Sequence, residues 1–129
     1  MKVIFVGVHN KPGKMPLCSS TKSGKLIDRI IEGVKPIECL KTNLYDVEYY
    51  PANQDKAKYA LDWVDRIDVE IDDIIILLGA EVYNDFYKYL YRGIIKAAHP
   101  ASKRSHAEMD KYVIDTIAKI KVESITSRS

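Results

Sequence analysis

Two uninterrupted apolar runs constrain the fold most: Val3-Ile4-Phe5-Val6-Gly7-Val8 near the start and Ile74-Ile75-Ile76-Leu77-Leu78 in the middle. A strand that is apolar at every position, rather than at alternate ones, is buried on both faces, as in the interior of a parallel sheet. Each run ends in turn residues, His9-Asn10-Lys11-Pro12-Gly13 after the first and Gly79 after the second. Parallel strands need long crossovers, and helices must then cover both faces of the sheet.

The rest of the chain supplies those crossovers. Ser23 to Val34 reads as a helix with Leu26, Ile27, Ile30, Ile31 and Val34 on one side, weakened at Gly33 and stopped by Pro36. Ile37 to Tyr45 reads as a second strand. Asp55 to Asp68 reads as a helix burying Ala57, Ala60, Leu61, Val64 and Ile67, and Ala80 to Tyr91 as a short one with Val82, Phe86, Tyr89 and Leu90 inward. Ile94 to Ala98 is the fourth expected strand. Ser105 to Ile120 is the last helix, entered through the capping-box spacing Ser105-His106-Ala107-Glu108, with Met109, Tyr112, Val113, Thr116, Ile117 and Ile120 as its apolar face. The expectation is an α/β fold: a small doubly wound three-layer sandwich with a four-stranded parallel sheet. Residues 1–125 form one domain and 126–129 a frayed tail. The strand order is not legible from the pattern.

Composition sets the class. With 47% hydrophobic and 29% charged residues, 129 positions match one ordinary globular domain. No apolar run approaches the roughly 20 residues that span a bilayer, and the N-terminus lacks a cleavable leader pattern, so a cytoplasmic protein without membrane partners is expected. Cys18 and Cys39 agree with a reducing compartment. Charge is unevenly placed. Met1 to Ile27 contains no acid but holds Lys2, Lys11, Lys14, Lys22 and Lys25; Arg92 to Ala107 is also acid-free, with Lys103 and Arg104 in its loop. Asp46 to Asp73 reverses this, with nine acids and three bases. The basic stretches flank the two candidate cleft loops, His9–Thr21 and His99–Ser105, and such a surface attracts phosphate.

Three polar residues fall just past strand ends: Asn10, Asn43 and His99. Open parallel sheets bind ligands at their carboxyl edge. An asparagine amide offers one donor face and one acceptor face, matching the imide edge of a pyrimidine or orienting a water. His99, fixed before Pro100, can donate a hydrogen bond into the same cleft. The bland alternative is that these are turn residues and a satisfied strand-end histidine. Neither G-x-G-x-x-G nor a Walker loop is present, and His9, His99 and His106 lack zinc spacing, so no metal and no cofactor is expected.

Several segments together resemble the uracil-DNA glycosylase superfamily: Gly7-Val8-His9-Asn10-Lys11-Pro12-Gly13, then Ser23-Gly24-Lys25-Leu26, Lys41-Thr42-Asn43-Leu44, Ile76-Leu77-Leu78-Gly79 and His99-Pro100-Ala101-Ser102. That resemblance implies an enzyme: a DNA N-glycosylase hydrolysing the N-glycosidic bond of a uracil-like or modified pyrimidine flipped out of DNA. It implies that Asn10 positions the water, His99 stabilises the departing base, and Asn43 reads the base edge. Gly7, His9, Pro12, Gly13 and Leu17 would complete the base pocket, Leu17 standing where branches of the family place a stacking phenylalanine. Lys11, Lys14, Lys22, Lys25, Ser102, Lys103 and Arg104 would hold the partner, DNA containing a damaged or modified pyrimidine. Two cysteines cannot ligate the iron–sulfur cluster of some branches, which takes four.

Two other readings stay open. One is a catalytically inactive nucleic-acid or nucleotide-binding module of the same fold. The other is a hydrolase of free nucleosides or nucleotides, which needs a carboxylate at the cleft; Glu81 and Asp46 are the acids nearest strand ends. Cleavage of modified-base oligonucleotides separates the first reading from the second, and free nucleosides test the third.

Overall fold

The computed structural model describes residues 1–9, 13, 16–47, 50–79, 82–85, 94–97 and 105–128. Strand β1 is Lys2–His9, helix α1 is Lys22–Val34, β2 is Glu38–Tyr45, α2 is Asn53–Ile67, β3 is Ile74–Leu78, β4 is Ile94–Ala97 and α3 is His106–Arg128. A helical turn at 82–85 follows β3; the rest of the helix expected over Ala80–Tyr91 lies outside the described residues.

The sheet order is β2-β1-β3-β4, and every pairing is parallel. The expectation of a four-stranded parallel sheet is corrected. Three parallel strands, β2-β1-β3, make the body of the sheet; β4 adds four backbone pairings, Ile75↔Ile94 to Leu78↔Ala97, along the outer side of β3. The physical reason is length: β4 is four residues, half of β1 or β2.

Those cores follow the alternation of side chains along β1 and β3. Val3, Phe5, Ile74, Ile76 and Leu78 pack with Leu26, Ile27, Ile30 and Val34 of α1 and with Tyr112, Val113 and Ile120 of α3. Ile4, Val6, Ile75 and Leu77 pack on the other face with Ala60 and Trp63 of α2, and with Leu44 and Val82. Helices therefore cover both faces. Gly33 has a role beyond ending α1: a Cβ there would run into Ile117 Cδ1, so its bareness lets α3 lie close against α1.

The buried faces of α1 and α3 are those the periodicity indicates, but α2 is turned. Ala57, Leu61 and Val64, expected inside, are exposed, and Lys56, Ala60 and Trp63 are buried instead. The indole decides this orientation. Trp63 is 1% exposed, and its Nε1–H donates to Thr42 Oγ1 (3.1 Å), which itself donates to Phe5 O (2.9 Å). Burying the largest apolar side chain with its polar atom satisfied outweighs the smaller aliphatic stripe.

At the amino edge of the sheet, Lys2 Nζ pairs with Asp73 Oδ2 (2.6 Å), and the Lys2 N–H donates to Asp73 Oδ1 (2.9 Å). Lys2 is thus an internal partner, not part of a basic cleft. At α3, Ser105 Oγ accepts from the Glu108 N–H, one half of a capping box, and itself donates to Glu108 Oε1, both at 3.1 Å. The helix then runs through Arg128, well past Ile120 and into the stretch expected to fray from residue 126.

Candidate functional site

The long loop after β1 returns to α1 through one residue. Thr21 is the N-cap of α1: its Oγ1 accepts from the Gly24 N–H (3.0 Å) and donates to Cys18 O (2.7 Å), while its own N–H also reaches Cys18 O (2.9 Å). The Gly24 N–H is therefore taken by the cap. Gly24 must be a glycine, because a Cβ there would strike the carbonyl oxygens of Leu17 and Cys18. Lys41 of β2 ties the same loop down from the side, pairing with Asp28 and donating to Ser19 Oγ (3.2 Å). Burial pushes the Asp28 carboxyl up, but the bonds from Lys41 and Ser19 prevail and hold it below the usual carboxylate range.

This anchoring holds Leu17 in the left-handed region, at φ 49°. A non-glycine residue there costs about 1–3 kcal/mol and persists where its surroundings over-determine it. Here the strained turn brings Leu17 over the carboxyl end of β1. A Cβ built on Gly7 would collide with Asn43 Oδ1 and lie 3.7 Å from Leu17 Cδ2. Gly7 and Asn43 are register partners on β1 and β2. Gly7 follows Val3 and Phe5 in the alternation, and Asn43 faces away from the Thr42–Trp63 pair, so both lie on the α1 side of the sheet. Asn43 is 4% exposed, a buried amide at the edge where parallel sheets hold ligands.

Three of the expected pocket residues, Gly7, Leu17 and Asn43, thus meet. Gly13 is exposed with φ 71°, a turn glycine. His9 ends β1 opposite Tyr45, and only its backbone is described. Lys22 and Lys25 are exposed in the first turn of α1, next to the loop. Asn10, Lys11, Pro12, Lys14, His99, Ser102, Lys103 and Arg104 lie outside the described residues, as does Glu81. The parallel pairing nevertheless sets the carboxyl ends of β1, β2 and β4 (His9, Tyr45 and Ala97) along one edge of the sheet. At about 4.8 Å per strand, β4 is roughly 10 Å from β1.

On the opposite face a second polar group stands at the same edge, one that the sequence pattern did not single out. Tyr45 and Tyr50 both donate to Asp85 Oδ2 (2.9 and 2.5 Å), and Lys56 Nζ donates to the Tyr50 hydroxyl (2.7 Å) and lies 3.6 Å from Asp85 Oδ2. The rings of Tyr45 and Tyr50 meet edge to face at 5.8 Å. Burial, then the hydrogen bond to Asp85, raises the Tyr50 pKa above that of a free phenol. Burial lowers that of Lys56, but Tyr50 and Asp85 more than compensate and leave it raised. These tyrosines are engaged with one another and with Asp85. Asp85 follows β3 in a segment read as an apolar helix, which is why it escaped notice. Asp46 is exposed and borders an open cleft of ≈ 410 Å³ with Tyr59, Asp62, Asp65 and Arg66.

Among the described residues no three His, Cys, Asp or Glu side chains gather as a metal site, and no helix is long and apolar enough to cross a membrane. No family model, curated protein or solved structure matches the chain.

Proposed function

We propose that the chain is a DNA glycosylase acting on a uracil-like or modified pyrimidine base. The observation that carries this reading is the buried Asn43 amide beside Gly7, beneath Leu17, at the carboxyl edge of a parallel sheet. A planar pyrimidine needs one donor and one acceptor at its imide edge, and an amide supplies both. It also needs a wall without a side chain, so that the ring can approach the strand, and Gly7 is such a wall. The exposed Lys22 and Lys25 beside the loop suit the phosphate backbone.

In this proposal the C1′–N bond of the flipped nucleotide breaks and the electron pair leaves with the base. Water oxygen bonds to C1′, and its proton passes to the departing base or to solvent. His99 donates a hydrogen bond to the developing base anion, Asn10 orients the water, and Asn43 fixes the base. Preorganised donors aimed at the leaving anion are the principal requirement of such chemistry.

Single-turnover cleavage of duplexes carrying uracil, a mismatched thymine or an oxidised pyrimidine tests the reading. Asn43→Ala should weaken both binding and rate, since a base edge left unread costs affinity as well. His99→Ala should slow the chemical step on the order of 100-fold with DNA affinity retained. Absence of cleavage on all these duplexes by the unaltered chain overturns the proposal.

A further inference from the structure

Helix α3 carries a second apolar stripe, turned away from the sheet. Its inward side chains, Tyr112, Val113, Thr116 and Ile120, are buried against the core. On the other side Ile114, Val122 and Ile125 are 64%, 63% and 71% exposed, and exposed Ala118 falls between them. Steps of four, four and three residues put these on one line, about 16 Å long at 1.5 Å per residue. Single exposed aliphatics are ordinary. Three large ones aligned on one helix face are not, and α3 cannot roll to hide them, because Ile117 is seated against Gly33 of α1. Ala118 and Val122 also border, with Lys119 and Glu123, a shallow depression of ≈ 340 Å³ wide enough for an aliphatic side chain.

Charge along the helix says what covers the stripe. The acids Glu108, Asp110 (paired with Arg29 of α1) and Asp115 lie in the first half and the bases Lys119, Lys121 and Arg128 in the second, with Lys111 and Glu123 as exceptions. Such a gradient is complementary to itself when reversed. We propose that α3 is a self-association surface, on which a second copy of the chain packs antiparallel about a twofold axis near Ala118. Ile114 of one copy then lies over Val122 of the other, and Asp115 comes within reach of Lys119 of the second copy. The small Ala118 side chains let the helices approach at the centre. A parallel pair would instead set like charges and like helix ends together. A contact of this length is at the small end of stable interfaces, so the dimer is weak, with Kd roughly micromolar or higher.

Sedimentation velocity from roughly micromolar to roughly millimolar protein is the test. The unaltered chain should shift from monomer to dimer as concentration rises. Val122→Glu should weaken association at least about tenfold while circular dichroism and the unfolding midpoint stay unchanged, since the side chain is largely exposed. Asp115→Lys should weaken it, and adding Lys119→Asp should restore it. With Cys18 and Cys39 replaced by Ser, Ala118→Cys should oxidise to a disulfide-linked pair. A chain that remains monomeric throughout, or a dimer indifferent to Val122→Glu, overturns the proposal and leaves the stripe to another partner.

Discussion

Gly7→Ala is the most informative single change, because its effect depends on one neighbouring atom. The added methyl group would collide with Asn43 Oδ1, while its distance to Leu17 Cδ2, 3.7 Å, is an ordinary contact. Asn43 is buried on a strand hydrogen-bonded to β1, so the amide cannot retreat freely. Overpacking of this kind costs about 1–3 kcal/mol. Without the clash, alanine in a strand interior is preferred to glycine by roughly 0.5–1 kcal/mol. The sign of the effect should therefore reverse with the background: Gly7→Ala destabilises the natural chain and is neutral or stabilising once Asn43 is alanine. Urea denaturation of the four members of the cycle measures the coupling, expected at about 1–3 kcal/mol with the slope m unchanged. Equal effects in the two backgrounds would refute the placement of Asn43 against Gly7, and with it the geometric support for a base pocket. If the pocket binds a base, an amide displaced by on the order of 1 Å should also lower the cleavage rate about 100-fold.

Asp73→Asn should cost about 1–3 kcal/mol near neutral pH by removing the charged partner of Lys2. Burial raises the Asp73 carboxyl, but the bonds from Lys2 and the Glu70 N–H outweigh it and hold the pKa below its ordinary value, so this stability is present above about pH 4 and is lost as pH falls through the lowered value. Acid titrations of the two proteins should therefore converge at low pH. Thr42→Val removes both the acceptor of the Trp63 indole N–H and the donor to Phe5 O; a loss of about 1–3 kcal/mol with little change in shape is expected from thermal and urea unfolding. Lys56→Met leaves Asp85 with hydroxyl donors alone, and should cost about 1–3 kcal/mol, part of it recovered when Asp85→Asn is added.

The sheet and its covering helices were legible where one physical signal dominated. Val3–Val8 and Ile74–Leu78 are apolar throughout, and no other buried arrangement of such short runs fits their flanking turns. The last helix was legible too, because Ser105 and Glu108 mark its start. What misled was competition between signals. In α2 the aliphatic positions Ala57, Leu61 and Val64 trace one face and Lys56, Ala60 and Trp63 another; choosing between them depends on Thr42, which is distant in sequence and adjacent only once β2 is in place. The fourth strand was overestimated because an apolar run gives no measure of how far its pairing extends. Leu17 came under notice only by likeness, since nothing in a leucine signals a positive φ. The Asp85 cluster was illegible for the same reason as Thr42: its three partners come from a strand end, a loop and a helix.

Two neighbouring residues of β2 show what separates a structural polar group from a candidate site. Thr42 and Asn43 are both almost fully buried, 2% and 4% exposed, and both sit beside β1. Thr42 faces Trp63 and Phe5 O, so its hydroxyl is closed inside a large aromatic contact that no ligand can enter without unfolding α2. Asn43 faces a glycine and a leucine held by a loop. Leu17 is partly exposed and sits at positive φ. The missing side chain at position 7 leaves the amide beside bare backbone at the strand's end. If the proposed base pocket exists, this buried amide opposite a glycine, at the carboxyl edge of a parallel sheet, is what meets the ligand, whereas the group opposite a tryptophan serves stability.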